Sequence, residues 1–145
     1  MDLIIKRFEE LTTDELYELL KIRVDIFVVE QKCPYQELDE KDKRAYHIYL
    51  KENNQIKAYL RLLDAGVSFK EVSIGRVLST ERGKGYARKV IEEGIKIAKE
   101  RLKADKIKIE AQVYAQKMYE KIGFRAISKE FLEDGIPHIQ MILDL

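Results

Sequence analysis

A turn with two glycines and three positively charged residues is the part of this sequence best suited to chemistry. Gly83 and Gly85 lie among Arg82, Lys84 and Arg88, directly ahead of a segment with helical periodicity. A glycine turn at the start of a helix leaves several backbone N–H groups without partners, all pointing the same way. Together with the helix dipole and the nearby cations, these groups favour a phosphate or pyrophosphate. We therefore expect a phosphorylated ligand at this turn.

The helix after this turn is predicted by the spacing of its apolar residues. They recur three and four positions apart, which places them on one buried face: Ala87, Val90, Ile91, Gly94, Ile95, Ala98 and Leu102. The pattern predicts a helix from Gly85 to about Leu102, in which Ala87 is small enough to pack closely against a sheet.

The rest of the chain alternates between strand-like and helix-like segments. Thr12 and Glu15 form a capping box ahead of an amphipathic helix. Alternating or β-rich runs predict strands over 3–8, 46–50, 56–63, 67–78, 106–111, 124–131 and 136–143. A short helix is predicted over 114–122, and a hairpin turn at Glu133-Asp134-Gly135. The order β-α-β-β-β-α-β-α-β-β predicts a mixed α/β fold of about seven strands with helices on both faces of the sheet.

Length and composition limit the classes of protein that fit. The 145 residues are 46% hydrophobic and 37% charged with two prolines, which indicates one folded domain over 1–145 and not a disordered or fibrous chain. No apolar run is long enough to span a membrane, and the N-terminus does not have the form of a signal peptide. A single cysteine, Cys33, cannot form an internal disulfide, which favours a reducing cytoplasm. Two histidines and one cysteine have no zinc-like spacing, so no metal is expected.

Charge is distributed unevenly along the chain. Residues 9–43 contain eleven acidic and five basic residues, whereas residues 81–108 contain ten basic and five acidic ones. One half could attract a cationic partner and the other an anionic one, although two solvated helix faces explain the same pattern. The basic residues concentrate around a ligand-sized site without interleaved aromatic residues, so nucleic-acid binding is not expected.

Two motifs in this element order resemble those of the GCN5-related N-acetyltransferases (GNAT). The acetyl-CoA motif of that family, Gln/Arg-x-x-Gly-x-Gly/Ala, is matched by Arg82, Gly85 and Ala87. A later signature, Ala-x-x-x-Tyr-x-x-x-Gly-Phe, is matched by Ala115, Tyr119, Gly123 and Phe124. The resemblance covers essentially the whole chain, and segments 27–35 and 133–139 resemble the ElaA-like branch.

The resemblance implies a GNAT fold with a mostly antiparallel sheet, and direct transfer of the acetyl group of acetyl-CoA to a primary amine. Backbone N–H groups at Val77 and Ser79 would polarise the thioester carbonyl, and Tyr119 would donate a hydrogen bond or proton to the leaving sulfur. Gln112 replaces the asparagine common in the family, and its longer amide can donate the same kind of hydrogen bond. The residues implied in cofactor binding are Val77, Leu78, Ser79, Arg82, Gly83, Lys84, Gly85, Tyr86, Ala87, Arg88, Gln112 and Tyr119.

The general base has three candidates. A substrate ammonium must lose a proton before it can attack, and a histidine has a suitable unperturbed pKa. His138 is the first candidate; Glu71, where some family members carry a glutamate base, is the second; His47 is the third. For each histidine a half-buried structural role is an equal alternative.

The acceptor amine is not identified by the sequence. Acidic residues between the first helix and the next strand, namely Glu30, Glu37, Asp39 and Asp42, are candidates to line the acceptor cleft with His47, although a solvated charged loop explains them too. Arg23 is expected to pair with one of these acids. A non-catalytic acyl-CoA-binding module remains an alternative to an enzyme, and the protein is expected to be a monomer or a homodimer.

Overall fold

The computed structural model describes residues 1–145, and an eight-stranded sheet forms its centre. The strands are β1 (Asp2–Arg7), β2 (Ala45–Glu52), β3 (Gln55–Leu63), β4 (Val72–Ser79), β5 (Lys106–Gln112), β6 (Arg125–Ala126), β7 (Phe131–Glu133) and β8 (Ile136–Asp144). They lie in the order β1-β2-β3-β4-β5-β8-β6, and β7 also pairs with β8. Every pair is antiparallel except β4 with β5. The predicted mixed, mostly antiparallel sheet is confirmed.

Helices cover both faces of this sheet, as predicted. They are α1 (Thr13–Val24), α2 (Tyr86–Leu102) and α3 (Gln116–Ile122). On one face Leu19 of α1 packs with Tyr59 and Leu78. On the other face α2 lies so close to β3 that a Cβ on Gly94 would come within 3.0 Å of Leu60. We refer to these as the α1 face and the α2 face. No helix of the protein has both the length and the apolar character needed to cross a membrane.

The first helix begins at the predicted capping box and continues beyond its last α-helical turn. The Thr12 hydroxyl accepts a hydrogen bond from Glu15 N at 3.1 Å, and the Glu15 carboxylate accepts one from Thr12 N at 2.8 Å. After α1 the chain winds more widely as a π-helical segment, Asp25–Glu30. Such segments are rare and occur often at functional sites.

Two predicted strands are shorter in the structure. The strand predicted over 67–78 begins only at Val72, because Gly66 N donates to Phe69 O at 2.7 Å and closes a turn before it. The strand predicted over 124–131 is replaced by β6 and β7. The chain advances five residues from Ala126 to Phe131 while β8 advances only three, so the surplus residues bulge out of the sheet.

The connections around α3 and β8 are nearly as predicted. Glu133 pairs with Ile136, and the two residues between them, Asp134 and Gly135, have φ angles of 52° and 77°. Positive φ at both positions is the type I′ geometry that joins antiparallel strands tightly. The helix predicted over 114–122 is α-helical only from Gln116, since Val113–Ala115 form a 3₁₀ turn.

Candidate active site

A gap between β4 and β5 creates the main cavity of the protein. The two parallel strands pair only at Val72 with Ile107 and at Ser73 with Lys108, and then diverge. A cavity of ≈ 760 Å³ occupies the space between them. Its walls include Arg61 from the α1 face and Tyr119 from the α2 face. The cavity therefore connects the two faces through the sheet.

A bulge in β4 lies at the centre of this cavity. Arg61 pairs with Gly75 and Tyr59 with Leu78, so three steps along β4 match two along β3. The extra residue is accommodated where Arg76 adopts a φ of 53° within the strand. A non-glycine residue in this left-handed region is strained by about 1–3 kcal/mol and persists only where its surroundings hold it. The bulge turns the backbone beside Val77 out of regular pairing.

The glycine turn has the conformation and the open space that an anion needs. Gly83 and Gly85 have φ angles of 75° and 76°, and Gly85 is the N-cap of α2 without any side-chain cap. A Cβ added at either glycine would meet no atom within 4 Å. The first N–H groups of α2 have no capping side chain, and the helix dipole at this end favours negative charge.

Two cations flank the glycine turn on the protein surface. Arg82 is 89% exposed and lies 3.5 Å from Glu30 of the π-helical segment. Arg88 is also exposed and pairs with Glu92 at 2.9 Å. Exposed pairs of this kind are weak, so both guanidinium groups remain available to a phosphate.

The residues predicted to bind the cofactor lie together at this cavity, with one exception. Lys84 is exposed and does not line the cavity. The lining residues from that prediction are Val77, Leu78, Ser79, Arg82, Gly83, Gly85, Tyr86, Ala87, Arg88, Gln112 and Tyr119. The amide of Gln112 faces that of Gln31 at 3.4 Å, a contact with a segment that the sequence did not connect to this site.

Tyr119 presents an unpartnered hydroxyl to the cavity. Its ring is only 7% exposed and packs edge-on against Phe124, with the ring centres 5.5 Å apart. Burial, and to a lesser degree the neighbouring Tyr114, raises the pKa of Tyr119 above its usual range. The phenol therefore stays protonated and can donate a hydrogen bond to a group inside the cavity.

His138 lines the cavity from the start of β8. Its Nδ1 lies 2.7 Å from the carbonyl oxygen of Ile136, and its ring stacks on Phe131. Because a carbonyl oxygen can only accept, Nδ1 must donate, which leaves the lone pair of Nε2 free in the neutral ring. Nε2 lies 3.7 Å from a carboxylate oxygen of Glu133.

The other two candidates for the base lie outside the cavity. Glu71 directly precedes β4, at the end of the strand remote from the glycine turn, and does not line the cavity. His47 is 1% exposed, and its ring nitrogens contact the Tyr59 hydroxyl at 2.8 Å and the Asp42 carbonyl at 2.9 Å. Burial lowers the pKa of His47. This geometry corresponds to the structural alternative, and it also removes His47 from the acceptor-binding residues.

Three arginines and three carboxylates form a buried charge cluster beside the bulge. Arg23 binds Glu37 and Asp42, both at 2.7 Å. Arg61 binds Asp39 at 2.7 Å and Asp42 at 3.1 Å. Arg76 binds Glu37 at 2.9 Å and Asp39 at 3.4 Å. We call these six residues, Arg23, Arg61, Arg76, Glu37, Asp39 and Asp42, the charge cluster.

The charge cluster changes the expected role of the acidic segment. Glu37 is 3% exposed and does not line the cavity, and Asp39 does so only beside the arginines that bind it. Burial alone would raise the pKa of Asp39, but hydrogen bonds and charge from Arg61, with the charge of Arg76, outweigh it and lower that pKa to about 2. Of the predicted acceptor residues, only Glu30 is an exposed carboxylate at the cavity.

The sequence prediction included Arg23 as a partner for these acids, and the structure confirms it. Arg61 and Arg76 were missed. Arg61 is the one charged residue in the run Ala58-Tyr59-Leu60-Arg61-Leu62-Leu63, and Arg76 is the one charged residue of β4. A lone charge in a buried strand requires a buried partner, and that signal could have indicated them.

Known proteins of similar sequence and structure agree with this geometry. A family model described as an acetyltransferase (GNAT) domain matches residues 14–145. A UPF0039 protein of Schizosaccharomyces pombe is 38% identical over 149 aligned residues, which cover 100% of this chain and 98% of that protein. The crystal structure of an acyl-CoA N-acyltransferase from Pseudomonas aeruginosa matches with a TM-score of 0.91 and 39% identity over 99% of both chains. That of Escherichia coli ElaA matches with a TM-score of 0.92 and 31% identity, again over 99% of both. The chain belongs to the GNAT family of acetyltransferases, and ElaA is among its relatives.

Proposed function

We propose that residues 1–145 act as one N-acetyltransferase domain that moves the acetyl group of acetyl-CoA directly to a primary amine. The observation that carries this proposal is the cavity that passes between β4 and β5 and joins the two faces of the sheet. Such a passage lets a donor and an acceptor enter from opposite sides and meet beside the bulge. Holding two reactants in one geometry is a large part of catalysis.

The donor fits the α2 side of the passage. The glycine turn, with the free N–H groups of α2 and the exposed Arg82 and Arg88, suits the pyrophosphate of CoA. The diverging edges of β4 and β5 offer unpaired backbone groups to the amide-containing arm of CoA, as a sheet edge does to an added strand. Backbone N–H groups at Val77 and Ser79 are proposed to polarise the thioester carbonyl.

Two side chains that line the cavity, His138 and Tyr119, are suited to the chemical step. His138 Nε2 takes a proton from the substrate ammonium, and the neutral amine nitrogen then attacks the carbonyl carbon. The carbon–sulfur bond then breaks and the amide forms. The nitrogen loses its second proton in this step, and the CoA thiolate gains one proton and leaves as the thiol. The Tyr119 hydroxyl donates a hydrogen bond to the sulfur as negative charge develops there. Its raised pKa favours donation of a hydrogen bond over full loss of the proton.

The cytoplasm is the proposed location, because the only cysteine, Cys33, is a buried free thiol. Residues 1–145 contain no other thiol with which it could pair.

Thermal unfolding with acetyl-CoA, CoA and ATP, followed by an assay for thiol release, tests the proposed function. A ligand that binds only the folded protein raises its stability. We expect acetyl-CoA and CoA to raise the Tm and ATP not to. A panel of primary amines should then cause the release of free CoA thiol. Stabilisation by CoA without thiol release from any amine would favour the non-catalytic acyl-CoA-binding module.

A further inference from the structure

We propose that the acceptor carries an anionic group, such as a carboxylate, in addition to its amine, and that Lys41 and Ser68 bind this group. The inference rests on the proposed function, whose acceptor it narrows. It reverses the simplest expectation from the sequence, in which an acidic segment would select a basic acceptor.

The first step is that the charge cluster is internally neutral. Three guanidinium groups face three carboxylates, and each carboxylate binds two of the arginines. Tyr35 also donates its hydroxyl to Glu37 and lies under the guanidinium of Arg76. Glu37, Asp39 and Asp42 are therefore engaged within the protein, and a basic acceptor would have to compete with the arginines of the cluster for them.

The second step is that one cation beside this cluster has no acidic partner. Lys41 lines the cavity and is half-buried, and its Nζ binds only the Ser68 hydroxyl, at 2.8 Å. It forms no ion pair with Asp39, whose carboxylate instead accepts from the Lys41 backbone N–H. A partly desolvated ammonium without a counter-charge attracts an anion.

Ser68 completes an anion site with Lys41. Its oxygen accepts from the ammonium, and its own O–H has no acceptor within the protein and remains free to donate. Nearby, the Nε of Arg61 is buried without a hydrogen-bond partner although Arg61 lines the same wall. Lys41 and Ser68 together present an ammonium and a hydroxyl donor without an acidic partner, an arrangement that a carboxylate can satisfy.

The third step concerns the orientation of the acceptor. The gap between β4 and β5 is closed at Ser73, the last residue of β4 that pairs with β5, and Ser68 lies before β4 at that end. His138 lies at the open end, where it pairs with Gln112, the last residue of β5. From Ser73 to Val77 is four residues, about 13 Å of strand. Of the acidic residues of the lining, Glu110, Glu133 and Asp134 lie on the His138 side, and Glu30 and Glu81 lie by the glycine turn. Asp39 lies near Lys41, but Arg61 and Arg76 bind its carboxylate. An acceptor with an amine at one end and an anion at the other matches this polarity.

The test compares acceptors that differ only in charge. Thiol release would be measured with ω-amino acids from 4-aminobutanoate to 8-aminooctanoate, with their primary amides, and with diamines of the same lengths. We expect kcat/KM for at least one amino acid to exceed that for its amide and diamine by about tenfold or more, the size of a charged hydrogen bond. The ratio of kcat/KM for the amino acid to that for its amide should fall towards one in Lys41→Met and be partly restored in Lys41→Arg. The control is Lys43→Met, which should keep the original ratio because Lys43 is exposed and pairs with Glu40.

The remaining outcomes each count against one proposal. Equal or better use of the amides or diamines, or a preference unchanged in Lys41→Met, would overturn the anionic acceptor while leaving the acetyltransferase intact. If no amine releases thiol, the proposed function fails, and the anion site is then tested by the binding of the amino acids alone. In that case the amino acids, but not their amides, should raise the Tm of the CoA-bound protein and should lose this effect in Lys41→Met. If amino acids and amides had the same effect on the Tm, or if Lys41→Met kept the effect, the anion site at Lys41 and Ser68 would be overturned.

Discussion

The guanidinium of Arg76 donates to the carboxylate of Glu37 at 2.9 Å and so ties the bulge of β4 to a segment 39 positions earlier in the chain. Glu37 also binds Arg23 on α1 at 2.7 Å. One carboxylate therefore connects the first helix, the acidic segment and the strained residue beside which the reaction is proposed to occur. Arg76 has a φ of 53°, and its contacts with Glu37 and Asp39 are among those that hold this strained residue in place.

Replacing Glu37 with glutamine should strongly destabilise the protein. The neutral amide keeps the size of the side chain but leaves the guanidinium of Arg23, which is 0% exposed, with Asp42 as its only carboxylate partner. Breaking a buried ion pair from one side costs about 3–5 kcal/mol. Urea unfolding would measure the loss. Asp25→Asn is the control, because its exposed pair with Lys21 should contribute no measurable stability. Equal midpoints for the two variants would contradict the role of Glu37.

The cluster also shows where prediction from the sequence stops. The periodicity of Val90, Ile91 and Ala98 predicted α2, and Asp134-Gly135 predicted the hairpin, because both signals are local. Whether Glu37 is solvated or buried depends on its partners Arg23 on α1 and Arg76 on β4, which no local pattern reports. Acidic residues in a loop are usually solvated, so the buried cluster required the tertiary structure.

The bulge in β4 had no local signal either. A positive φ normally predicts glycine, but the bulged position is Arg76 and its neighbour Gly75 does not have a positive φ. The break between β6 and β7, which both pair with β8, also had no local signal. The residues between Ala126 and Phe131 have the sequence pattern of a continuous strand. Register is set by the partner strand, so such breaks become visible only when both strands are known.

Gly85→Ala should weaken the binding of acetyl-CoA more than it weakens the fold. The φ of 76° makes any side chain unfavourable by about 1–2 kcal/mol, although no protein atom opposes the new methyl group. The methyl group would occupy open space at the N-cap of α2, where the phosphate is proposed to bind. We expect the Kd for CoA, measured by calorimetry, to rise about tenfold.

Gly66→Ala is the matched control for this variant. Gly66 also has a positive φ, 88°, and open space at its Cβ, but it lies in the turn before β4 and not at the glycine turn. The two variants should lose similar stability, and only Gly85→Ala should lose affinity for CoA. A parallel loss of affinity in both would indicate a general effect of strain.

Tyr119→Phe should slow thiol release while leaving the fold and the binding of CoA nearly unchanged. The phenylalanine keeps the edge-on packing against Phe124, and no protein group loses a hydrogen bond because the hydroxyl has none. Removing a donor that stabilises charge in the transition state lowers kcat about a hundredfold. Rates at saturating substrates would measure it, with the exposed Tyr17→Phe as the control. A full rate in Tyr119→Phe would exclude the role at the leaving sulfur.

Stability should fall in acid as Asp39 becomes protonated. Its folded-state pKa is about 2 because hydrogen bonds and charge from Arg61 outweigh the opposing effect of burial, whereas its ordinary value is 3.8. A carboxyl with a depressed pKa stabilises the fold fully above its unfolded pKa, and that contribution is lost as the pH falls through the folded value. We therefore expect the urea midpoint to decline steeply between about pH 4 and pH 2. Asp39→Asn, already less stable at pH 7, should show a shallower decline over the same range, whereas the exposed Asp14→Asn should follow the original curve. An identical slope in Asp39→Asn would show that the Arg61–Asp39 pair does not control this transition.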